Sequence, residues 1–390
     1  MKHVLCALLV VICLPCVLFS QESYEEWLES QSEAADEWTA GQRQAYRDFV
    51  KADSLAFAEF REAVERVWDT AEFSTDKDWV EYGDDLASRS KVDFEAGEAT
   101  VEVLVPEEEA AAEPVRVADA LEGAVASLLE SRGTSRDYEL EGEEPEPLSE
   151  EPVLRGQVAG PSGEVVGPED AGGFAEAVVA SKSYTSETVD SKDGVRRVKA
   201  TVTFRLVPDH LRIRAQRYLP EVREFAEKYG LDVRLVLAMI HTESYFNPKA
   251  RSPVPAYGLM QLVPASGGRD AYEFVHGEPV APTPDYLFDP RNNIELGTAY
   301  MALVESREFA GVVDPKSRLY CVVSAYNTGA RNVCRGLVGR DDRDAAVEAA
   351  NSMEPEGLFL KLREDLPYEE TRDYLGKVVS RMAIYEEWSG

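Results

Sequence analysis

The chain runs to 390 residues, beyond the roughly 150 of one ordinary domain, and its net charge of −32 at pH 7 repels nucleic acid and an anionic membrane face. The excess is lopsided: residues 1–200 hold 45 acidic and 18 basic side chains, whereas residues 201–390 hold 28 and 23. The two halves are different kinds of object, and a neutral or cationic partner suits the chain better than a polyanion.

Met1, Lys2 and His3 precede an apolar run over 4–19 that exits through Ser20, Gln21 and Glu22. About 16 residues fall short of the roughly 20 that span a bilayer as a helix, so 1–20 reads as a signal peptide and the chain as exported to the periplasm or cell envelope. A lipid anchor stays open as a route to membrane association, although Cys16 follows Pro15 and Cys13 follows Ile12, where a lipoprotein signal wants a small residue. Beyond that segment lie Cys321 and Cys334, whose spacing decides neither for a disulfide nor for two packed thiols.

From 24 to 69 apolar residues recur at helical spacing (Phe49, Val50, Phe57, Phe60, Val64, Val67) among many charges, which predicts an amphipathic helix. Alternation around Gly97 predicts a hairpin over 91–105, and the turn residues of 190–194 predict a second one between arms 181–189 and 195–207. The intervening 106–172, rich in Glu, Pro, Gly and Ser, reads mostly as acidic linker, with one helix over 117–129. Pro208 closes the second hairpin, and helix follows helix thereafter: 211–229 stopped by Gly230, then an apolar run 233–240 with Asp232 as its N-cap. The expected organisation is an N-terminal α+β domain over 21–207, with a small antiparallel sheet, followed by an all-α domain over 208–390.

Chemistry concentrates at His241-Thr242-Glu243-Ser244-Tyr245-Phe246-Asn247-Pro248. Glu243 sits at the end of a nearly apolar helix, where low polarity and the negative end of the helix dipole both raise a carboxyl pKa. Such a group can act as a general acid near neutral pH. Taken alone, it reads more readily as a helix-terminal carboxylate bonded to a nearby hydroxyl or amide. Downstream lie Tyr257-Gly258-Leu259-Met260-Gln261, then Asn293-Ile294-Glu295-Leu296-Gly297, then Ala325-Tyr326-Asn327. Gly258 permits close backbone approach and Gln261 offers a donor and an acceptor.

In order and spacing these motifs resemble the lytic murein transglycosylases with the soluble-type (SLT) catalytic domain, over about 209–385. Trp79 to Asp84, Arg89 to Phe94 and Leu206 to His210 are similar to the N-terminal region of the membrane-bound C subfamily. The resemblance implies a goose-type, lysozyme-like helical fold. It also implies cleavage of the β-1,4 bond between N-acetylmuramic acid and N-acetylglucosamine with formation of a 1,6-anhydro end. Glu243 would serve as sole acid and base, where ordinary glycosidases use two carboxylates. Tyr326 would lie beside the substrate's N-acetyl group, and Ser252 and Gln261 would contact the sugar. Asn327 would hold the loop, and Gly258 and Met260 complete the expected substrate-binding set. Read without the resemblance, Ser252 is a turn residue and Tyr326 a core aromatic. Tyr245 and Val263 depart from the residues usual in relatives.

No metal and no cofactor is expected: His3, His210, His241 and His276 lack ligand spacing, and phosphate loops and nucleophile elbows are missing from the sequence. The expected partner is the peptidoglycan glycan strand, with an envelope protein docked on the acidic N-terminal half as a further one. Two other readings stay open: a muramidase that uses water, and a non-catalytic glycan-binding envelope protein.

Overall fold

In the computed structural model the backbone is described for residues 21–388 apart from 114, 141, 143, 161, 182, 183 and 253–255, and side chains are described from 44 onward, residue 181 excepted. The segment read as a signal peptide, with Cys13 and Cys16, lies outside the described residues. Helix α1 (Gln21–Val67) opens the chain. The part of the chain up to residue 45 is a unit by itself, and residues 46–390 form another.

Five strands form one antiparallel sheet: β1 (Asp78–Tyr82), β2 (Ser88–Asp93) and β3 (Glu98–Pro106), then, after the insertion described below, β6 (Thr185–Asp190) and β7 (Arg196–Arg205), in the order β1-β2-β3-β7-β6. Both predicted hairpins are present, and the long β3–β7 pairing joins them, with Val101 opposite Val202 and Ala99 opposite Phe204. Alternation along β3 buries Ala99, Val101 and Val103, as a half-buried strand requires.

The acidic stretch 106–172, expected to be mostly linker, is instead folded. It contains α2 (Glu107–Ala112), α3 (Arg116–Glu130), the two-residue strands β4 (Val158–Ala159) and β5 (Val165–Val166), and it leads into α4 (Ala171–Ser181). Leu121, Val125 and Leu128 of α3 join Leu148, Val153, Leu154 and Val158 in the cluster that buries the sheet's Val101 and Val202. Its glutamates face water while scattered apolar residues cover the sheet, so composition alone pointed the wrong way.

The change from sheet to helices falls between β7 and α5 (His210–Tyr229), which ends at Gly230 in the left-handed conformation. Then come α6 (Val233–Ser244), α7 (Arg269–His276), α8 (Pro284–Phe288), α9 (Pro290–Glu308), α10 (Pro315–Thr328), α11 (Ala330–Val338), α12 (Arg343–Asn351), α13 (Pro355–Asp365) and α14 (Glu369–Met382). Asp232 caps α6 as expected, accepting from Arg234 N, and Leu235 to Ile240 are buried. A second large cluster gathers α5, α6, α9, α10, α13 and α14 around these residues. Cys321 and Cys334 are buried free thiols.

Candidate active site

Helix α6 stops abruptly. Tyr245 (φ 50°) and Phe246 (φ 60°) both adopt the left-handed conformation, uncommon for bulky residues, and turn the chain away directly after Ser244. The fully buried Ser244 Oγ donates to Leu259 O at 2.7 Å, tying the helix end to the loop that carries the second motif. Glu243 is left at the helix end facing a cleft of about 460 Å³, also lined by Ser252, Gln261, Tyr326 and Asn327.

The Glu243 carboxyl is hemmed in by protein, and burial is the main cause that pushes its pKa up to about 8. The negative charges of Glu370 and Asp76 push the same way. Opposing them, the Tyr374 hydroxyl donates to Glu243 Oε1 at 2.5 Å and favours the charged form. Arg381 lines the same cleft, but its donors go to His241 O (3.0 Å) and the Tyr245 hydroxyl (2.7 Å), so the acid is not held in an ion pair.

Tyr326 is half-buried beside Glu243, and both burial and that carboxyl's charge keep its hydroxyl well above the usual tyrosine range. The hydroxyl donates to Met260 O at 2.7 Å. Gln261 Nε2 donates to Ala250 O (3.0 Å) and Gly258 O (2.9 Å), so both its N–H groups hold the loop and the carbonyl oxygen is what it can offer a ligand. Asn327 Oδ1 accepts from Thr371 Oγ1 at 2.7 Å, joining α10 to α14. Ser252 Oγ accepts from Ala256 N at 3.3 Å.

Gly258 and Met260 are not brought to the cleft with the others. At Gly258 (φ 75°) an added Cβ would lie 2.3 Å from Leu287 O and 2.4 Å from Asn293 Nδ2, so glycine is needed for close approach. The Met260 side chain is fully buried against Gly297, where an added Cβ would fall 2.3 Å from its sulfur. Asn293 fastens this loop: its Nδ2 donates to Tyr257 O (2.8 Å) and Leu287 O (2.7 Å), and its Oδ1 accepts from Met260 N (2.7 Å). These motif residues hold the shape of the wall and do not line it.

Sequence reasoning missed α14. Glu370, Tyr374, Lys377 and Arg381 all line the cleft, and their spacing of four, three and four puts them on one helical stripe. That periodicity was readable, yet Tyr374 among Thr371, Leu375 and Val378 looks like core. Asp76 and Lys77, from the segment before β1, complete the rim. His241 is buried, with Nδ1 3.0 Å from the Tyr385 hydroxyl, and burial lowers its pKa to about 3. No grouping of three or more metal-binding side chains occurs among the described residues.

Comparison with known proteins matches residues 221–347 to the transglycosylase SLT domain family. Residues 46–217 match the N-terminal domain of membrane-bound lytic murein transglycosylase C. The chain is 37% identical over 324 residues to membrane-bound lytic murein transglycosylase C of Sodalis glossinidius, covering 82% of this chain and 86% of the relative. It is 36% identical over 331 residues to the protein of that name from Pectobacterium atrosepticum, covering 84% and 88%. Among solved structures, an inactive mutant of lytic transglycosylase Slt from Pseudomonas aeruginosa is 28% identical, with TM-score 0.34, covering 43% of this chain and 24% of that one.

Proposed function

The chain belongs to the membrane-bound lytic murein transglycosylase C family, and from that premise we propose that it cleaves the β-1,4 bond between N-acetylmuramic acid and N-acetylglucosamine with Glu243 as both acid and base. The enzyme is a lytic transglycosylase, a lyase acting on peptidoglycan. The observation that carries the mechanism is a carboxyl whose pKa is pushed up to about 8 in a sugar-sized cleft.

Protonated Glu243 gives its proton to the glycosidic oxygen as the C1–O bond breaks, and the N-acetylglucosamine side departs as an alcohol. The carboxylate so formed takes the proton of the muramic C6 hydroxyl as that oxygen bonds to C1. A 1,6-anhydro ring results, Glu243 is protonated again, and water is not consumed. The Tyr326 hydroxyl, its hydrogen given to Met260 O, turns oxygen lone pairs toward the cleft. That polarity suits positive charge developing at C1, alongside the substrate's own N-acetyl oxygen.

Hydrolysis is the second reading, because Asp76 and Glu370 also line the cleft and a second carboxylate could activate water. Mass spectrometry of digested peptidoglycan separates the two. Transglycosylation gives muropeptides about 20 Da lighter than reduced hydrolysis products, since water and the reducing hydrogens are both missing. Glu243→Gln lowers their yield by about 10³-fold, within the range for loss of a general acid. Reducing ends from the wild type would establish hydrolysis, and no products at all would leave a glycan-binding protein. Family membership and the apolar segment 4–19 support a place in the cell envelope after export. No helix among the described residues is long and apolar enough to cross a membrane.

A further inference from the structure

A larger cavity, about 720 Å³, adjoins the cleft, and Asp76 and Ser252 line both. Its other walls come from α1, from the loop around residue 136 and from the segment after Glu243. Tyr46, Phe57, Phe73, Tyr138, Tyr257 and Phe288 make much of it apolar. In a chain of net charge −32 its lining is unusually basic, with Arg61, Arg136, Lys249 and Arg251 against Asp53, Asp76 and Asp137.

Some of those charges are already matched. Asp137 pairs with Lys249, while Asp53 accepts from the Tyr138 hydroxyl at 2.6 Å and stands 3.7 Å from Arg251. Two cations keep donors to spare. Arg136, with a side chain 5% exposed, donates from Nε to Asp285 at 3.2 Å, but its buried Nη1 has no hydrogen-bond partner among the described residues. The buried Ser135 Oγ beside it is likewise unpartnered among the described residues. Arg61 is exposed at the cavity edge, its guanidinium 4.9 Å above Phe57 and 5.6 Å from Phe73, with no carboxylate partner among the described residues. An orphaned guanidinium nitrogen in a buried site costs stability unless a ligand completes it.

We propose that this second cavity takes a carboxylate on the peptide branch of the glycan strand, held between Arg61 and Arg136 while the strand lies in the cleft beside Glu243. The inference rests on the transglycosylase reading. A carboxylate is the natural complement of guanidinium donors, and the aromatic walls can pack the aliphatic parts of a peptide. Neutral sugars would leave the Arg61 charge and the spare Arg136 Nη1 donor unmatched. Because Asp76 and Ser252 line both cavities, a branch on a muramic residue bound next to the cleaved bond has only a short way to reach the second one.

The test uses the full chain with three substrates: peptide-bearing glycan strands, the same strands with their carboxylates amidated, and strands stripped of peptide. The wild type is expected to cleave the first about tenfold more efficiently, in kcat/KM, than either of the others, the scale of one charge-assisted hydrogen-bond set. Arg61→Gln and Arg136→Gln should pull that ratio toward one. Arg61 is exposed, so its variant keeps the test sound if replacing buried Arg136 impairs folding. Equal cleavage of all three by the wild type overturns the proposal and leaves the transglycosylase reading standing. So does a preference that survives amidation, or one that both variants retain. Failure of the wild type to release anhydro ends from any substrate overturns both.

Discussion

The helical core and the sheet core contribute different things to one cleft. The helical cluster holds Leu235 to Ile240 behind Glu243 and supplies Tyr326 and Tyr374 beside the carboxyl. The sheet cluster runs on past the strands to include Tyr245, Tyr257, Leu262, Leu287 and Phe288, so residues flanking the cleft share a core with the N-terminal sheet. The acid's proton affinity is set mainly by the helical core, with a lesser push from Asp76 on the sheet side, and the shape of the groove largely by the other. A family can therefore alter what the cleft admits without retuning the acid.

The seam between the cores is pinned by Arg214, and breaking it should give the largest effect on stability. This fully buried guanidinium, on α5, donates to Tyr245 O (3.1 Å), Phe94 O (3.3 Å) and Gln157 Oε1 (2.8 Å) and lies 4.2 Å over the Phe94 ring. Arg214→Met keeps the bulk but strands three buried acceptors, and we expect about 3 kcal/mol or more of lost stability. Denaturant titration checks this, and a change under about 1 kcal/mol would mean that the two cores hold the wall independently.

The helical core strains against its own acid. A carboxyl titrating near 4.5 when unfolded and near 8 when folded keeps a proton that the unfolded chain releases. Folding is thus favoured below pH 4.5 and progressively penalised as pH rises to 8. Glu243→Gln, which cannot titrate, should raise stability at pH 7 by about 2 kcal/mol, allowing for the part of the residue that faces the cleft, while cutting activity by about 10³-fold. Melting curves of both proteins at pH 4 and pH 7 decide it: the gain should vanish at the lower pH.

How much of this was legible varies with the kind of signal. The place of Glu243 at the end of an apolar helix could be read because it is a local feature, though only the later motifs singled it out from an ordinary helix-terminal carboxylate. The roles of Gly258 and Met260 could not, since only the fold shows that Gly258 lies against Leu287 and Asn293 and that Met260 packs against Gly297. The glutamates of 106–172 hid a folded region because charge on the wet face says nothing of Leu121 or Leu154 beneath it. Strand β1 was missed because Asp78 and Glu81 interrupt its five residues.

Tyr374 sharpens the comparison from inside the helical core. Its hydroxyl favours the carboxylate form of Glu243, so Tyr374→Phe should raise the acid's pKa further. On the proposed mechanism the wild type should lose kcat/KM above about pH 8 as Glu243 gives up its proton. In the variant that alkaline limb moves to higher pH, while kcat falls about tenfold because the carboxylate must also be stable enough to form in the first step. A limb that stays in place would remove Tyr374 from control of the acid.

The smallest effect is expected where the sheet region reaches the acid's own helix end, at Tyr245. Its hydroxyl donates to Glu95 Oε1 at 2.6 Å and accepts from Arg381 Nη2 at 2.7 Å, and Glu95 pairs with Lys77 at 2.5 Å. Glu95 comes from the β2–β3 turn, so this chain of contacts spans both cores. It is also half in water: Lys77 and Glu95 are 38% and 51% exposed, and Arg381 keeps its bond to His241 O whatever happens to the tyrosine. Tyr245→Phe should therefore cost about 0.5–1 kcal/mol and change kcat/KM by less than about threefold. Glu95 has its pKa lowered, first by Lys77 and then by Tyr245, so the contribution is present above pH 4.5 and lost as pH falls below it. A double-mutant cycle with Glu95→Gln should give a coupling of about 0.5 kcal/mol at pH 7 that disappears at low pH. If Tyr245→Phe instead cuts activity as deeply as Tyr374→Phe, the sheet core tunes the acid after all, and the division of labour between the two cores fails.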